Sequence, residues 1–200
     1  QEIAPHLAVG AIVTDGGSVK GPVWAAAKQY LPNPANFVPG HPIAGREKSG
    51  VEAATADLYL HHRVILTPTE ATSPAALATV EALWQAVGAQ VERMDVAEHD
   101  RVLAETSHLP HLLAFSLVDT LSRQGDSNEI FRYAAGGFRD FTRIASSSPV
   151  MWRDIFRQNA KAVLAALDRY QAGLAQFRAA IEDDDSDALT GIMSRANAAR

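Results

Sequence analysis

The feature that most constrains this chain lies in its last third. Phe156, Ala160, Val163, Leu167, Tyr170, Leu174, Phe177 and Ile181 follow one another at intervals of 4, 3, 4, 3, 4, 3 and 4. That is heptad spacing, which places all eight residues on one stripe of a helix. Such a stripe needs a partner helix to cover it, from the same chain or from a second copy. The pattern predicts one long helix after Pro149, with Ser148 as its N-cap and the proline at its first position. The acidic run 182–187 reads as a solvated turn that ends it, with Asp185 or Ser186 capping a last short helix.

Helical periodicity of this kind begins at Asp95, and the residues before it read differently. Short β-branched or apolar runs at 11–14, 37–38, 63–66 and 90–94 predict strands. Between them, 23–30 has helical composition, and Ser73-Pro74 opens a helix that Gly88 closes. A glycine-dense loop is expected from His41 to Gly50. Strands separated by helices imply an α/β sheet that is at least partly parallel. The sequence therefore divides into an α/β unit over 1–94 and an all-helical unit over 95–200.

Composition narrows the chemistry. With no cysteine among 200 residues, disulfides, zinc ribbons, iron–sulfur clusters and thiol nucleophiles are excluded. Lys and Arg total 18 against 23 Asp and Glu, a net charge of −5, so no nucleic-acid partner is expected. No run approaches the ~18 apolar residues of a membrane span. The opening QEIAPHLAVG lacks the basic-then-apolar pattern of an export signal. The cytoplasm is the expected compartment, with no membrane partner.

Three clusters are candidates for a site. Asp15-Gly16-Gly17-Ser18-Val19-Lys20 follows a strand without phosphate-loop spacing, and leaves a hydroxyl (Ser18) and an ammonium (Lys20) where open α/β sheets bind ligands. A capped turn accounts for the same residues. His41 heads the glycine-dense loop, on the ligand side of the sheet, and an imidazole can accept a proton from a hydroxyl near neutrality. In the helical half, Glu105, His108 and His111 fall at i, i+3 and i+6, short of the ligand set a metal needs, so no metal is expected. Downstream, Arg143 either pairs with Asp140 at i, i+3 or turns its planar fork to a ligand carboxylate.

Taken together, the strings TDGGSVKG (14–21), HPIAGREKSG (41–50), SHLPHLLAFSLVDTL (107–121) and GGFRDFTRIASSSPVMWRDIF (136–156) resemble the prephenate dehydrogenase family, which includes arogenate and cyclohexadienyl dehydrogenases of tyrosine biosynthesis. The resemblance implies a Rossmann-like NAD- or NADP-binding domain followed by a helical, homodimer-forming domain. The implied reaction is oxidative decarboxylation of a cyclohexadienol, prephenate or arogenate. By position, His41 matches the histidine that takes the ring-hydroxyl proton and Ser18 the serine that orients this hydroxyl. Arg143 matches the arginine that holds a substrate carboxylate, and His111 a histidine of the substrate pocket. Glu47 and Trp152 match residues at the pocket mouth.

Two departures accompany the resemblance. The dinucleotide fingerprint G-x-G-x-x-G does not occur in the 200 residues, so the cofactor-binding residues are unassigned. The chain is expected to correspond to an enzyme without the N-terminal part of its nucleotide-binding domain, and to be inactive by itself. Arg46 stands where many relatives carry a small hydroxyl residue. Two other readings compete with the enzyme: a non-catalytic substrate-binding or regulatory dimer module derived from the family, and a purely structural helical dimeriser.

Overall fold

The computed structural model describes residues 2–45, 50–51, 54–125 and 127–200. Glu47 and Arg46, singled out above, lie outside the described residues. In the first half β1 (Val13–Thr14) leads through α1 (Gly21–Tyr30) to β2 (Phe37–Val38), which pairs parallel with β1, Val13 opposite Phe37. A parallel pair requires a crossover, and α1 provides it.

β3 (Gly40–Pro42) follows at once and pairs antiparallel with β4 (Arg63–Leu66), His41 opposite Ile65. α2 (Pro74–Ala86) then crosses to β5 (Gln90–Arg93), parallel to β4. β3 corrects the sequence reading, which placed a loop from His41 onward. Its three residues carry no strand signal. They pair because the chain turns at Pro39, whose carbonyl accepts from Thr67 N at 2.9 Å. Pro42 is tolerated because β3 is the outer strand of the order β3-β4-β5. Gly40 is required there, since a Cβ would sit 3.0 Å from the Asp15 carbonyl oxygen and 3.1 Å from the Leu66 side chain. Val38, Val64, Leu66, Ala76, Val80 and Ala89 form the core between strands and α2.

Asp95 accepts from the backbone N–H of Ala97 at 2.7 Å and Glu98 at 3.2 Å, and so starts α3 (Val96–Leu103). A π-helical turn (Ala104–His108) joins α3 to α4 (Leu109–Ser122). Then come α5 (Ser127–Arg132), α6 (Gly136–Thr142) and a 3₁₀ turn (Arg143–Ser146). α7 (Pro149–Gln158), α8 (Ala160–Glu182) and α9 (Ser186–Ala199) complete the chain. Asp185 caps α9 through Ala188 N at 2.8 Å.

The single helix expected after Pro149 is in fact two. Asn159 leaves helical geometry (φ −109°, ψ 27°), and its buried side chain donates to the backbone carbonyl of Asp100 at 2.8 Å. Phe156 accordingly belongs to α7 and packs with Trp152, while the rest of the stripe rides on α8. Val163 is buried there, but Leu174 and Ile181 remain 48% and 66% exposed. None of the helices in the described residues is long and apolar enough to cross a membrane.

Candidate active site

The site begins where β1 ends. Asp15 Oδ2 accepts from Gly17 N at 2.9 Å, and Oδ1 accepts from Gly40 N at 3.0 Å. Lys20, fully buried, donates its ammonium to Asp15 and to the Gly40 carbonyl, the latter at 2.5 Å. Burial pushes the Lys20 ammonium down, against the pull of Asp15 and Asp100. The ammonium expected at a ligand crevice is thus a tie inside the fold. It clamps the loop that carries Ser18 to the residue preceding His41, and Ser18 itself is half-buried on that loop.

From the helical half, α3 brings up His99 and Asp100. The two carboxylate oxygens of Asp100 accept from the backbone N–H groups of Lys20 and Gly21, both at 2.8 Å, and so cap the N-terminus of α1. Asp100 Oδ1 also lies 2.8 Å from His99 Nδ1. Burial alone would raise the Asp100 carboxyl, yet the hydrogen bonds from His99, Lys20 and Gly21 outweigh it and hold the group below its ordinary value. His99 Nε2 stands 2.9 Å from His41 Nδ1. Burial, then the neighbouring His99, Lys20 and His108, push His41 down to about 3. The result is an imidazole that stays neutral across the physiological range, held between the two halves of the protein.

The second wall is aromatic. His111, on α4, stacks on Trp152 of α7 with ring centroids 3.7 Å apart, and donates from Nδ1 to the Ser107 carbonyl at 2.9 Å. Trp152 is buried against Val19, Ile155, Phe115 and Phe156, which ties this wall to the loop of Ser18. It forms a floor rather than a rim. His108 is buried beside Trp152, and burial pushes it down to about 4. Glu105, expected on the same face as the histidines, turns away to Arg101 and Arg169. The π turn accounts for this. One extra residue in the turn rotates the helix beyond it, so i, i+3, i+6 no longer share a side. Arg143 is exposed at the start of the 3₁₀ turn, and that turn packs on α4, the helix of His111.

The structure therefore joins His41, Lys20 and Asp15 to His99 and Asp100, and joins His111 to Trp152 and the Ser18–Val19 loop. Reading the sequence missed His99, Asp100 and Asn159. A His-Asp pair four residues past a helix cap was the available signal for the first two.

An α/β unit whose strand ends carry a half-buried histidine, closed by a helical unit that supplies aromatic and basic side chains, defines a Rossmann-like fold of two-part construction. Comparison narrows this class. Residues 1–93 match the model of the prephenate dehydrogenase nucleotide-binding domain, and residues 95–195 that of the prephenate dehydrogenase dimerization domain. The chain belongs to the prephenate dehydrogenase family. A cyclohexadienyl dehydrogenase of Zymomonas mobilis is 42% identical over 189 residues, 94% of this chain and 64% of that protein. A prephenate dehydrogenase of Bacillus subtilis is 41% identical over 179 residues, 89% of this chain and 48% of that protein. The chain thus spans about half to two thirds of these relatives. A crystal structure of Aquifex aeolicus prephenate dehydrogenase in complex with hydroxyphenyl propionate and NAD+ superposes with a TM-score of 0.92 at 42% identity, over 100% of this chain and 69% of its own.

Proposed function

We propose that this chain carries the proton-accepting and substrate-holding parts of an NAD- or NADP-dependent dehydrogenase that oxidatively decarboxylates prephenate or arogenate. The observation that carries the reading is the His41 imidazole, neutral and half-buried at the junction of the two halves. In this reading residues 1–94 form the nucleotide-binding unit and residues 95–200 the substrate-binding and dimerising unit of a homodimer.

His41 accepts the proton of the ring hydroxyl, oriented by Ser18 on the neighbouring loop. Arg143 holds a carboxylate by charge and planar fork, and His111 on its Trp152 floor closes the pocket. Loss of carbon dioxide then leaves an aromatic ring, which drives the reaction forward. A nicotinamide cofactor, when bound, supplies the acceptor for the hydride. The residues present suit such a group at the carboxyl ends of β1 and β2: a Cβ on Gly16 would meet only the Pro42 ring within 4 Å, so backbone approach is open there.

The test is His41→Asn in the full-length gene product, with prephenate and arogenate as substrates. Loss of a general base lowers kcat by about 10²–10⁴-fold, with KM little changed and the thermal melt intact. An unchanged kcat removes His41 from the role of base.

A further inference from the structure

We propose that His99 and Asp100 are positioning residues for His41: they fix its ring with the proton on Nδ1 and leave Nε2 as the atom that takes the substrate's proton. The proposal rests on the reading of His41 as the base, and it assigns the relay behind that base.

With one proton on each imidazole, donors and acceptors along the chain admit one arrangement. A carboxylate only accepts, so Asp100 Oδ1, 2.8 Å from His99 Nδ1, fixes the proton of His99 on Nδ1. A ring with that single proton has its lone pair on Nε2. That nitrogen lies 2.9 Å from His41 Nδ1, which must therefore be the donor. One proton remains for the His41 ring and it is spent there, so His41 Nε2 bears a lone pair. The chain Asp100–His99–His41 thus has a single consistent orientation, anchored at its acid end.

The anchor is itself immobile. Both Asp100 oxygens are held by the first N–H groups of α1, and the Asp100 carbonyl accepts from Asn159 at the α7–α8 junction. His99 is completely buried, so its ring has no second arrangement in water. A histidine that merely filled a core would satisfy Nε2 on a backbone carbonyl; this one meets another imidazole edge-on, with centroids 5.1 Å apart.

The charges around His41 keep the resting ring neutral. His99 itself, Lys20 from the α1 end and His108 from the π turn oppose a positive charge on His41, whereas Asp100, behind His99, favours one. Asp15 offsets Lys20. In the reaction the substrate O–H bond breaks and an N–H bond forms at His41 Nε2. The imidazolium so formed keeps its Nδ1–H bond to His99, and Asp100 supplies the compensating charge through that ring. The two electrons of oxidation leave with the hydride, for which the nicotinamide is the oxidant, and the pair of the broken carbon–carboxylate bond stays in the ring that becomes aromatic.

The tautomer is read by ring ¹⁵N NMR of the full-length protein near pH 7, without substrate. The expected spectrum has His41 protonated on Nδ1 and bare on Nε2, and His99 likewise. A His41 ring protonated on Nε2 overturns the relay, whatever the protein turns over. Two variants add the kinetic side. His99→Leu offers His41 no acceptor and lowers kcat by about 10–100-fold, as loss of supporting partners does elsewhere, with KM changed less than about threefold and the acidic limb of the kcat profile displaced. His99→Gln places an amide oxygen near the lost Nε2 and restores most of the rate. Equal losses in both variants, each folded by its melt, reduce His99 to packing. Should His41→Asn retain full activity, the base reading fails while the NMR result still decides the tautomer.

Discussion

Around the junction of α1, β3, α3 and α7 the protein buries Lys20, His99, His108 and Asn159, while along α8 it leaves Leu164, Leu174 and Ile181 facing water. The two regions invert the usual distribution of polar and apolar groups, and for different reasons. At the junction the polar groups are inside because they answer one another: Lys20 meets Asp15, Asp100 meets His99 and two backbone N–H groups, and Asn159 meets a carbonyl. Such a network holds directions as well as stability, which is what an acid–base site needs. Among the described residues, the α8 stripe is covered mainly at its first turns, by the π turn, α3 and α4, and at its far end by α9. In the proposed reading, polar groups inside orient a proton acceptor and apolar groups outside face the second copy of a homodimer.

The contrast is most exposed to refutation at Lys20. Lys20→Met keeps the length of the stem but removes the buried cation, leaving Asp15 without its partner beside the Gly40 carbonyl. Breaking a buried pair from one side costs about 3–5 kcal/mol, to be read as a shift of the urea midpoint at constant slope. A loss under ~1 kcal/mol would show that the junction is not held by charge.

The stripe is the next point of attack. Leu174→Asp combined with Ile181→Asp leaves the protomer's own core untouched, so its stability at concentrations too low for association changes by only ~0.5 kcal/mol. Interface anchors contribute about 2 kcal/mol or more each, so losing both raises the dimer dissociation constant by about 10³-fold. Sedimentation velocity over a dilution series measures it. A variant that associates as tightly as its parent places the homodimer interface elsewhere.

Legibility in the residues divides along the same line. The stripe was plain because apolar spacing is a local signal, and so were β2, β4 and the start of α2 at Ser73-Pro74. β3 was hidden: Gly40-His41-Pro42 acquires its strand geometry from the turn at Pro39 and from β4, both nonlocal. The break at Asn159 was hidden too, because apolar residues continue at heptad spacing across it, and only the reach of its side chain to Asp100 and His108 sets it. His99 and Asp100 read as polar residues of an amphipathic helix, which α3 would ordinarily turn to water. Docking of α3 on α1 buries His99 and half-buries Asp100, and no periodicity encodes a docking.

The smallest expected effect concerns His108, and it bears on what burial of a titratable group costs. Asn159 Nδ2 lies 3.1 Å from His108 Nδ1 and must donate, because its other proton goes to the Asp100 carbonyl. His108 is therefore the neutral ring with its lone pair on Nδ1. Protonating that nitrogen sets two donors against each other in a buried place, which adds a local reason to the burial that drives its value down to about 4. The unfolded chain takes up this proton near 6.5, the folded one only near 4, so between these values the unfolded state binds more protons. Stability is then complete above about pH 6.5 and is lost as pH falls toward about 4, at ~1.4 kcal/mol per pH unit for one such group. His41 adds a parallel slope, its value being lowered to about 3. His108→Gln removes one of the two: the unfolding free energy, followed from about pH 6 to about 4.5, declines less steeply by ~1.4 kcal/mol per unit, whatever constant offset the substitution brings. A variant that keeps the parent's slope means that His108 is charged in the folded protein and that the junction accommodates a cation there.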